Sequence, residues 1–465
     1  MCTPVPARPK PRLKRPAGGW SCCPSERACL SSVKRTREGE PVLERLGQIW
    51  RVRDLRSKIL FVLTMLVVFR VIAHLPIPGV DTEALRRFFS SNQLLGLLNI
   101  FSGGGLENFS IVMLGVGPYI TASIIFQLLT MIIPALERLS KEGEQGYRKI
   151  NQWTRLLTVP LAALQAFSTI TLLRQQGGGI IPSMSLFELT TATVAITGGT
   201  MFLMWIGELI SEKKIGNGIS LLIFAGIVAQ LPVSLQRTLA TFDPNKIFTY
   251  AVIAALGLVT VAGIVFITEA QRNIPVSYAR RIRGNRVFGG VDTHLPLRVN
   301  QAGVIPIIFA VSLVVFPPLI AQFFSNSPIG WLAAASRGTT TLFQNQLFYA
   351  LIYFALVFAF TYFYTSVVFH PHQIAENLQK QGGFVPGIRP GQHTAQYLSY
   401  VSNRIMLAGA LFLGTIAVLP NILQSTTQIT TLVVGGTSLL IVVAVVIETV
   451  KQIDAQLVMR DYEGF

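Results

Sequence analysis

The chain has 465 residues, of which 51% are hydrophobic and only 13% are charged, about half of the ~25% charged residues in an ordinary soluble domain. This composition, with a mean hydropathy of +0.52, excludes a disordered chain, a disulfide scaffold and an ordinary cytosolic enzyme, and indicates helices of about 20 apolar residues in a lipid bilayer. A formal net charge of +17 often indicates nucleic-acid binding, but in a membrane protein it can reflect basic loops retained in the cytoplasm.

The N-terminal stretch, residues 1–41, is basic and proline-rich and has no long apolar run, which predicts a disordered extension. An organellar transit peptide and a true start further downstream are the alternatives. All four cysteines (Cys2, Cys22, Cys23 and Cys29) lie here, so we expect no disulfide or metal site in the main body. Residues 42–56 have the pattern of an amphipathic helix on the membrane surface.

Ten apolar runs follow and predict ten membrane spans. They cover residues 57–75, 111–133, 154–173, 186–210, 218–232, 247–268, 300–323, 347–369, 404–423 and 431–453. The fifth is short, and the ninth is interrupted by Gly409 and Gly414. The predicted organisation is a first half at 57–232, an outer loop with the sixth span at 233–268, a basic loop at 269–299, the last four spans at 300–453 with a loop at 370–404, and a tail at 454–465.

The distribution of Lys and Arg predicts the orientation. The short loops on one side of the ten spans carry 16 basic residues, and those on the other side carry 6. The stretch through residue 56 adds 13 to the first side. Because basic loops stay in the cytoplasm, we expect a multi-pass protein of the plasma (inner) membrane with both termini cytoplasmic.

Two short sequence motifs, the repeated words, each occur twice and indicate an internal repeat. The second and seventh spans share G-V-x-P-x-I, beginning at Gly115 and at Gly303, and the fifth and tenth share G-x-S-L-L-I, beginning at Gly218 and at Gly436. Two halves of five spans run in opposite directions through the membrane. The predicted fold is an all-α polytopic membrane protein with ten transmembrane helices, arranged as two inverted five-helix halves around a central pore. Chance recurrence of apolar words is the alternative.

The repeat makes four isoleucines equivalent in pairs. Ile120 corresponds to Ile308, and Ile223 corresponds to Ile441. If these four spans line the interface between the halves, their isoleucines form an aliphatic constriction that excludes water and ions. The alternative is that each is an ordinary packed or lipid-facing side chain.

Polar and charged residues inside the spans are few. Arg70 lies near an outer end, and Glu208 and Glu448 lie near cytoplasmic ends. A secondary transporter, the alternative function with inverted repeats, would need coupling charges near the membrane centre. The sequence has no G-x-x-x-x-G-K-[ST] motif for ATP and no H-E-x-x-H zinc motif, so we expect neither an enzyme nor a cofactor.

Three segments between spans are distinctive. An apolar piece at 94–101, followed by Ser102 and three glycines, is too short to span and could fill the passage from outside. The loop 269–299 is rich in arginine, and the loop 370–404 contains a proline- and glycine-rich word around Arg389 that predicts a rigid protruding tip. Basic loops of this kind bind anionic lipid, RNA or an acidic protein, and the ordered tip favours a macromolecule.

Many stretches of this sequence resemble the sequences of the SecY/Sec61α family, and of its bacterial SecY branch in particular. They include PIPGV at 76–80, NIFSGG at 99–104, GPYITASIIFQLL at 117–129, KEGEQGYRKI at 141–150, GTMFLMWIGELI at 199–210, THLPLRVNQAGVIPIIFA at 293–310, FVPGIRPG at 384–391 and GGTSLLIVV at 435–443. The resemblance extends from about residue 55 to 458.

The resemblance implies roles for particular residues. The pore ring would consist of Val116, Ile120, Ile219, Ile223, Ile308 and Ile441. The plug, within about 94–109, would include Leu94, Leu97, Leu98, Ile100, Phe101, Ser102, Gly103 and Gly104. A lateral gate between spans two and three on one side and seven and eight on the other would contain Gln127, Gln165 and Asn300. The docking surface would include Arg272, Arg280, Arg281, Arg283 and Arg389.

The resemblance also implies a function and a set of partners. The chain would form the pore through which unfolded polypeptides cross the membrane and from which transmembrane segments move sideways into lipid. Its partners would be SecE- and SecG-like small membrane subunits, the SecA motor ATPase, the ribosome, signal peptides and nascent chains. SecDF, a YidC-type insertase and anionic lipids are further implied partners.

Overall fold

The computed structural model describes residues 52–77, 85, 102–176, 185–240, 247–278, 281–283, 286–288, 292–301, 303–324, 330–427 and 436–463. The predicted extension 1–41, most of the predicted surface helix 42–56 and the plug residues before Ser102 lie outside the described residues. Within the described ranges the chain is almost entirely helical, with one small sheet and one short hairpin.

The helices are, in chain order, α1 (Arg53–Ala73), α2 (Gly117–Ile132), α3 (Pro134–Lys141), α4 (Glu144–Gln176), α5 (Leu186–Glu212), α6 (Gly218–Ala240), α7 (Ile247–Glu269), α8 (Ile305–Phe324), α9 (Gly330–Gln344), α10 (Gln346–Val368), α11 (Pro371–Lys380), α12 (Gln392–Thr427) and α13 (Gly436–Glu463). The strands are β1 (Gln271–Tyr278), β2 (Arg281–Arg283), β3 (Arg286–Phe288), β4 (Asp292–Arg298) and β5 (Gly383–Phe384). Every predicted span overlaps one helix, and of the helices in the described residues only α3, α9 and α11 lie between predicted spans.

By length and composition alone, four helical segments of the described chain can cross a membrane: Leu186–Glu212, Tyr250–Glu269, Gln346–Lys380 and Gln392–Leu419. A fifth is obtained if α2 and α3, which meet at a 102° bend, are counted as one. The helices at the other predicted spans are less uniform, because they combine an apolar part with a polar extension, as α4 and α13 do, or contain proline, as α6 and α8 do.

The first repeated word has the same backbone conformation in both halves. Gly115 and Gly303 have φ angles of +57° and +66°, which are accessible mainly to glycine. In each case the helix begins two residues later, and Pro118 or Pro306 occupies its first turn, where a missing N–H has no cost. The sequence repeat is therefore also a conformational repeat that starts α2 and α8 in the same way.

The second repeated word also starts two helices, since Gly218 is the first residue of α6 and Gly436 is the first residue of α13. At Gly218 the reason for glycine is visible. A Cβ there would lie 1.8 Å from the carbonyl oxygen of Gly207 on α5. The backbones of α5 and α6 therefore approach more closely than any side chain would allow.

We predict that Gly218→Ala destabilises the protein, because the added methyl group would force the α5 and α6 backbones apart. Overpacking of this kind typically costs about 1–3 kcal/mol. The matched control is Gly257→Ala in the middle of α7, where a Cβ would meet no atom within 4 Å. Thermal unfolding of the purified protein should occur at a lower temperature for Gly218→Ala and be unchanged or higher for Gly257→Ala. Equal unfolding temperatures would contradict the close approach.

The ninth span does not break at its glycines, since α12 continues from Gln392 to Thr427 through both of them. The interruption of the apolar run is explained by packing. A Cβ at Gly414 would lie 2.8 Å from the ring of Phe354 on α10, and one at Gly409 would lie 2.9 Å from the carbonyl oxygen of Val299. Both glycines thus allow close contact at the surface that α12 shares with its neighbours.

The helices of each half pack mainly on one another, for example α4 on α5 and α10 on α12. The two halves meet at two places. On one side α8 contacts α2 and α4, and on the other side α13 contacts α6. The helices that carry the repeated words, α2, α6, α8 and α13, therefore form the contacts between the halves.

Charged residues near the ends of the spans are paired across helices. Arg155 of α4 lies 2.6 Å from Glu208 of α5, and Lys451 of α13 lies 2.9 Å from Glu269 of α7. A paired charge is far less costly near a membrane than an isolated one. Both pairs lie on the side that the loop charges predict to be cytoplasmic.

Candidate functional site

The predicted ring residues lie where the two halves meet. Val116, Ile120, Ile223, Ile308 and Ile441 are buried and belong to one continuous cluster of apolar side chains. Ile120 and Ile308 lie in the first turn of α2 and α8, just after the repeated positive-φ glycines. Ile223 and Ile441 lie five residues after the glycines that start α6 and α13. Four helices from both halves thus contribute aliphatic side chains to the same cluster.

Ile219 is the least enclosed residue of the predicted ring. It is only half-buried, and its Cγ1 atom packs beside Gly207 of α5. It contacts the edge of the same cluster as the other five residues. Its contact with α5 is explained by its position in the first turn of α6, before the helix passes between the halves.

Of the predicted plug, the described residues Ser102, Gly103 and Gly104 form a turn on the predicted outer side, while Leu94, Leu97, Leu98, Ile100 and Phe101 lie outside the described residues. Gly103 and Gly104 have φ angles of +69° and +84°. Arg70 of α1 donates a hydrogen bond from Nη1 to the Gly103 carbonyl oxygen, at 2.7 Å. The sequence located Arg70 near a span end but gave no indication of this partner.

Of the predicted gate residues, Gln127 lies on α2 and Gln165 on α4, both of which contact α8, and Asn300 lies in the segment just before α8. Gln127 donates to Ser123 Oγ in its own helix at 3.3 Å, and Asn300 donates to the Gly303 carbonyl oxygen at 3.1 Å. Gln165 is half-buried on α4. No hydrogen bond joins the three side chains to one another. The sequence did not identify the neighbouring Gln301.

Three buried acceptor atoms of these residues and of Gln301 have no hydrogen-bond partner among the described residues: Gln127 Oε1, Asn300 Oδ1 and Gln301 Oε1. A buried polar atom without a partner typically costs about 1–3 kcal/mol. The closed arrangement around these three atoms is therefore less favourable than a fully apolar one would be. These atoms are also available to accept hydrogen bonds from a polar backbone.

The two basic loops, 269–299 and 370–404, form one structure that the sequence did not predict. Strand β1 pairs with β4 in an antiparallel hairpin, and β5 from the second loop pairs with the end of β1, through Ser277 with Phe384 and Tyr278 with Gly383. The sheet packs on the start of α12 through Ile274, Val276, Leu297, Val385, Leu398 and Val401. A shared apolar core thus fixes both basic loops as one unit, which we call the docking sheet (β1, β4 and β5 with the tip 385–391).

Two of the predicted docking arginines lie on this unit. Arg272 is exposed on β1, and Arg389 is exposed on the tip, whose shape depends on positive-φ glycines at 382, 387 and 391. Thr394 Oγ1 donates to the Arg389 carbonyl oxygen at 3.0 Å and fixes the backbone there. Arg281 and Arg283 lie on β2, which pairs with β3, and Arg280 lies outside the described residues.

A nearby basic residue differs from Arg389 because its charge is already paired. Lys380 lies 2.8 Å from Glu376, one helical turn earlier on α11. The hydrogen bond from Lys380 lowers the pKa of the Glu376 carboxyl, so this carboxylate stays ionised and partly neutralises the lysine. Lys380 therefore provides a natural control for the charge of Arg389.

The fold that these helices define is that of a protein-conducting channel. A solved structure described as "The structure of a protein conducting channel" matches with a TM-score of 0.60 at 17% identity, over 86% of this chain and 92% of the other. Sec61 in the canine ribosome–channel complex from the endoplasmic reticulum matches with a TM-score of 0.55 at 17% identity, over 86% and 92%. At this level of identity the matches show the fold.

Comparison at the sequence level identifies the family. The SecY family model matches residues 110–450. The protein translocase subunit SecY of Streptomyces galbus is 46% identical over 442 residues, which is 91% of this chain and 100% of that relative. Its counterpart from Mycobacterium bovis is 45% identical over 433 residues, which is 89% and 98%. The chain belongs to the SecY family.

Proposed function

We propose that this chain is the pore-forming subunit of a protein-conducting channel, through which unfolded polypeptides cross the membrane. The observation that carries the proposal is the burial, in one apolar cluster between the two halves, of the isoleucines that the internal repeat makes equivalent. Aliphatic side chains at a constriction exclude water and ions when the passage is empty. They have no fixed hydrogen bonds, so they can move aside for a chain of any sequence. The test is the ion conductance of the empty channel after these isoleucines are replaced with serine.

Apolar segments of the cargo leave sideways, between α2 and α4 on one side and α8 and α10 on the other. The three buried acceptor atoms of Gln127, Asn300 and Gln301 support the proposal, because oxygens without a partner among the described residues destabilise the closed arrangement around them. Gln127, Gln165 and Asn300 are the gate residues on this view. An entering helix that buries its own backbone groups can replace the contact between the halves, and it then reaches lipid without crossing the ring.

The energy for transport comes from outside the chain, since its sequence contains no P-loop. The docking sheet is the surface for the motor. Its arginines suit an acidic protein or RNA, so the SecA ATPase and the ribosome are the proposed partners. SecE- and SecG-like small subunits would cover part of the apolar surface that the helices expose, for example at Leu258 and Phe266 of α7.

In the proposed orientation the chain lies in the plasma membrane. The docking sheet and both termini face the cytoplasm, and α9 lies outside. The 16-to-6 distribution of basic loop residues supports this orientation. Two exposed residues test it: Ala335 on α9 and Gln392 at the start of α12. In a variant without the four native cysteines, an impermeant thiol reagent added outside intact cells should label Ala335→Cys and not Gln392→Cys. The reverse pattern would overturn the orientation, and lysed cells, in which both should react, control for accessibility.

A further inference from the structure

The turn Ser102–Gly105, which we call the outer turn, is held between two spans of the first half. Gly103 lies so close to both that a Cβ on it would be 3.0 Å from Gly226 Cα on α6 and 3.0 Å from Phe69 Cζ on α1. Its φ of +69° also requires glycine. The backbone of the outer turn therefore fits into a narrow space between α1 and α6.

The position of the outer turn relative to the pore follows from the face of α6 that it touches. A Cβ on Gly104 would lie 3.3 Å from Gln230 Nε2. Ile223, Gly226 and Gln230 are spaced three and four residues apart, so they lie along one face of α6. Ile223 belongs to the apolar cluster between the halves, and the outer turn covers the same face one helical turn further out. A displacement of the outer turn would thus uncover the outer end of the constriction.

The chain that follows the outer turn is held by backbone hydrogen bonds at Phe109 and Ile111. Ile77 N–H donates to the Phe109 carbonyl oxygen at 3.0 Å, and Ile111 N–H donates to the Leu75 carbonyl oxygen at 3.3 Å. These bonds join the chain after the outer turn to the end of α1. They do not include the outer turn itself, which contacts α1 at the Phe69 ring and through the hydrogen bond from Arg70 to Gly103.

Arg70 makes a contact that its place at the end of a span does not predict. A basic residue in the last turn of a helix is favourable for the helix dipole and commonly extends its charge to the membrane surface. The guanidinium of Arg70 instead donates to a backbone carbonyl 33 residues away, at 2.7 Å. Hydrogen bonds from a charged donor are short and strong, and they are stronger where water is scarce.

We propose that Arg70 is a positioning residue that latches the outer turn over the pore and sets the threshold for opening. The proposal rests on the proposed channel function. Opening requires Gly103 to leave the space between α1 and α6, and the bond to Arg70 must break when it does. The latch can release because the hydrogen bond from Arg70 reaches one carbonyl, whereas the bonds at Leu75 and Ile77 hold the chain at Phe109 and Ile111 in place.

The test measures ion conductance of membrane vesicles containing the full channel complex, fused to planar bilayers without cargo. Arg70→Met should increase the resting open probability about tenfold or more, as expected for the loss of a hydrogen bond from a charged donor. Arg70→Lys keeps the positive charge and an N–H donor. Its resting open probability should therefore lie between those of the parent and Arg70→Met. Gly103→Ala changes the other partner of the hydrogen bond and should increase the resting open probability in the same way. It tests the proposal even if Arg70→Met fails to reach the membrane.

A second readout and a matched control separate a latch from a general structural effect. In a variant without the native cysteines, Arg70→Met should increase the rate at which an impermeant thiol reagent labels Ser102→Cys from outside. The control is Arg174→Met, which removes an exposed basic residue from the outer end of α4. It should change neither conductance nor labelling. If Arg70→Met is as closed as the parent, or if Arg174→Met leaks equally, the latch is wrong.

The outcome is distinguishable from failure of the proposed function. If the parent channel conducts ions only when a polypeptide is trapped in it, the channel function holds whatever Arg70 does. If the parent never conducts, even with a trapped polypeptide, the proposed function fails and the latch fails with it.

Discussion

Replacing Ile120 and Ile308 together with serine should make the empty channel conduct ions. Both side chains are buried at the start of α2 and α8, in the cluster between the halves. Each buried isoleucine contributes about 1.5–3 kcal/mol of apolar burial, and serine would bring a hydroxyl that favours water at the same place. An aliphatic constriction blocks ions because it excludes water. Two hydroxyl groups from opposite halves should therefore allow water into it. We expect resting conductance to increase more than about tenfold, measured in planar bilayers without cargo.

A second pair of isoleucines and a control pair test whether the leak is specific to the constriction. Ile223 and Ile441 are the other pair made equivalent by the repeat, and their serine variants should leak in the same way. Ile170 and Ile196 are equally buried but belong to a separate cluster formed by α4, α5 and the segment around Phe109. Serine at these two positions should lower the amount of folded protein and leave the remaining channels silent. If the Ile120 and Ile308 double variant is as silent as the parent, the pore assignment is wrong.

The channel should also accept cargo with weakened signal sequences once its constriction is hydrated. On the proposed function, the side chains that stabilise the closed state are the same ones that resist entry of cargo. A variant with a lower closing energy needs less binding energy from the signal sequence to open. Export of a secreted reporter with a defective signal sequence should therefore rise in the Ile120 and Ile308 double variant and stay low in the Ile170 and Ile196 control.

Arg389→Glu should abolish most protein export while the amount of channel in the membrane stays normal. Arg389 is exposed on the tip of the docking sheet, and its side chain is not part of the apolar core beneath it. Reversing its charge therefore repels an acidic partner without disturbing the fold. We expect export to fall about tenfold or more, which corresponds to ~1.4 kcal/mol of partner binding.

Lys380 supplies the matched control for this surface. It is exposed on α11 and already paired with Glu376, so a partner gains little from its charge. Lys380→Gln should leave export almost unchanged, whereas Arg389→Gln should reduce it. Binding of SecA and of ribosomes to vesicles carrying each variant shows which partner depends on the tip. Unchanged export in Arg389→Glu would remove Arg389 from the docking surface.

The sequence by itself determined the membrane-embedded part of the fold. A bilayer requires long apolar runs that satisfy their own backbone, so each run of adequate length had to be a helix, and every predicted span overlaps one. The inverted repeat was also readable, because Gly115 and Gly303 need the same positive φ and Pro118 and Pro306 the same helix start. From the repeat alone, Ile120 and Ile308 could be proposed as partners before any contact was known.

Only the tertiary structure determined what joins distant segments. Strand β1 pairs with β4 and also with β5, which lies about a hundred residues further along the chain, and the short apolar stretches concerned have no local pattern that specifies a strand partner. Arg70 and Gly103 are 33 residues apart, and the need for glycine at 218 comes from the backbone of α5. Local periodicity specifies a helix and its apolar face, whereas backbone pairing, close approach and a hydrogen bond to a single carbonyl depend on the position of a second segment in space.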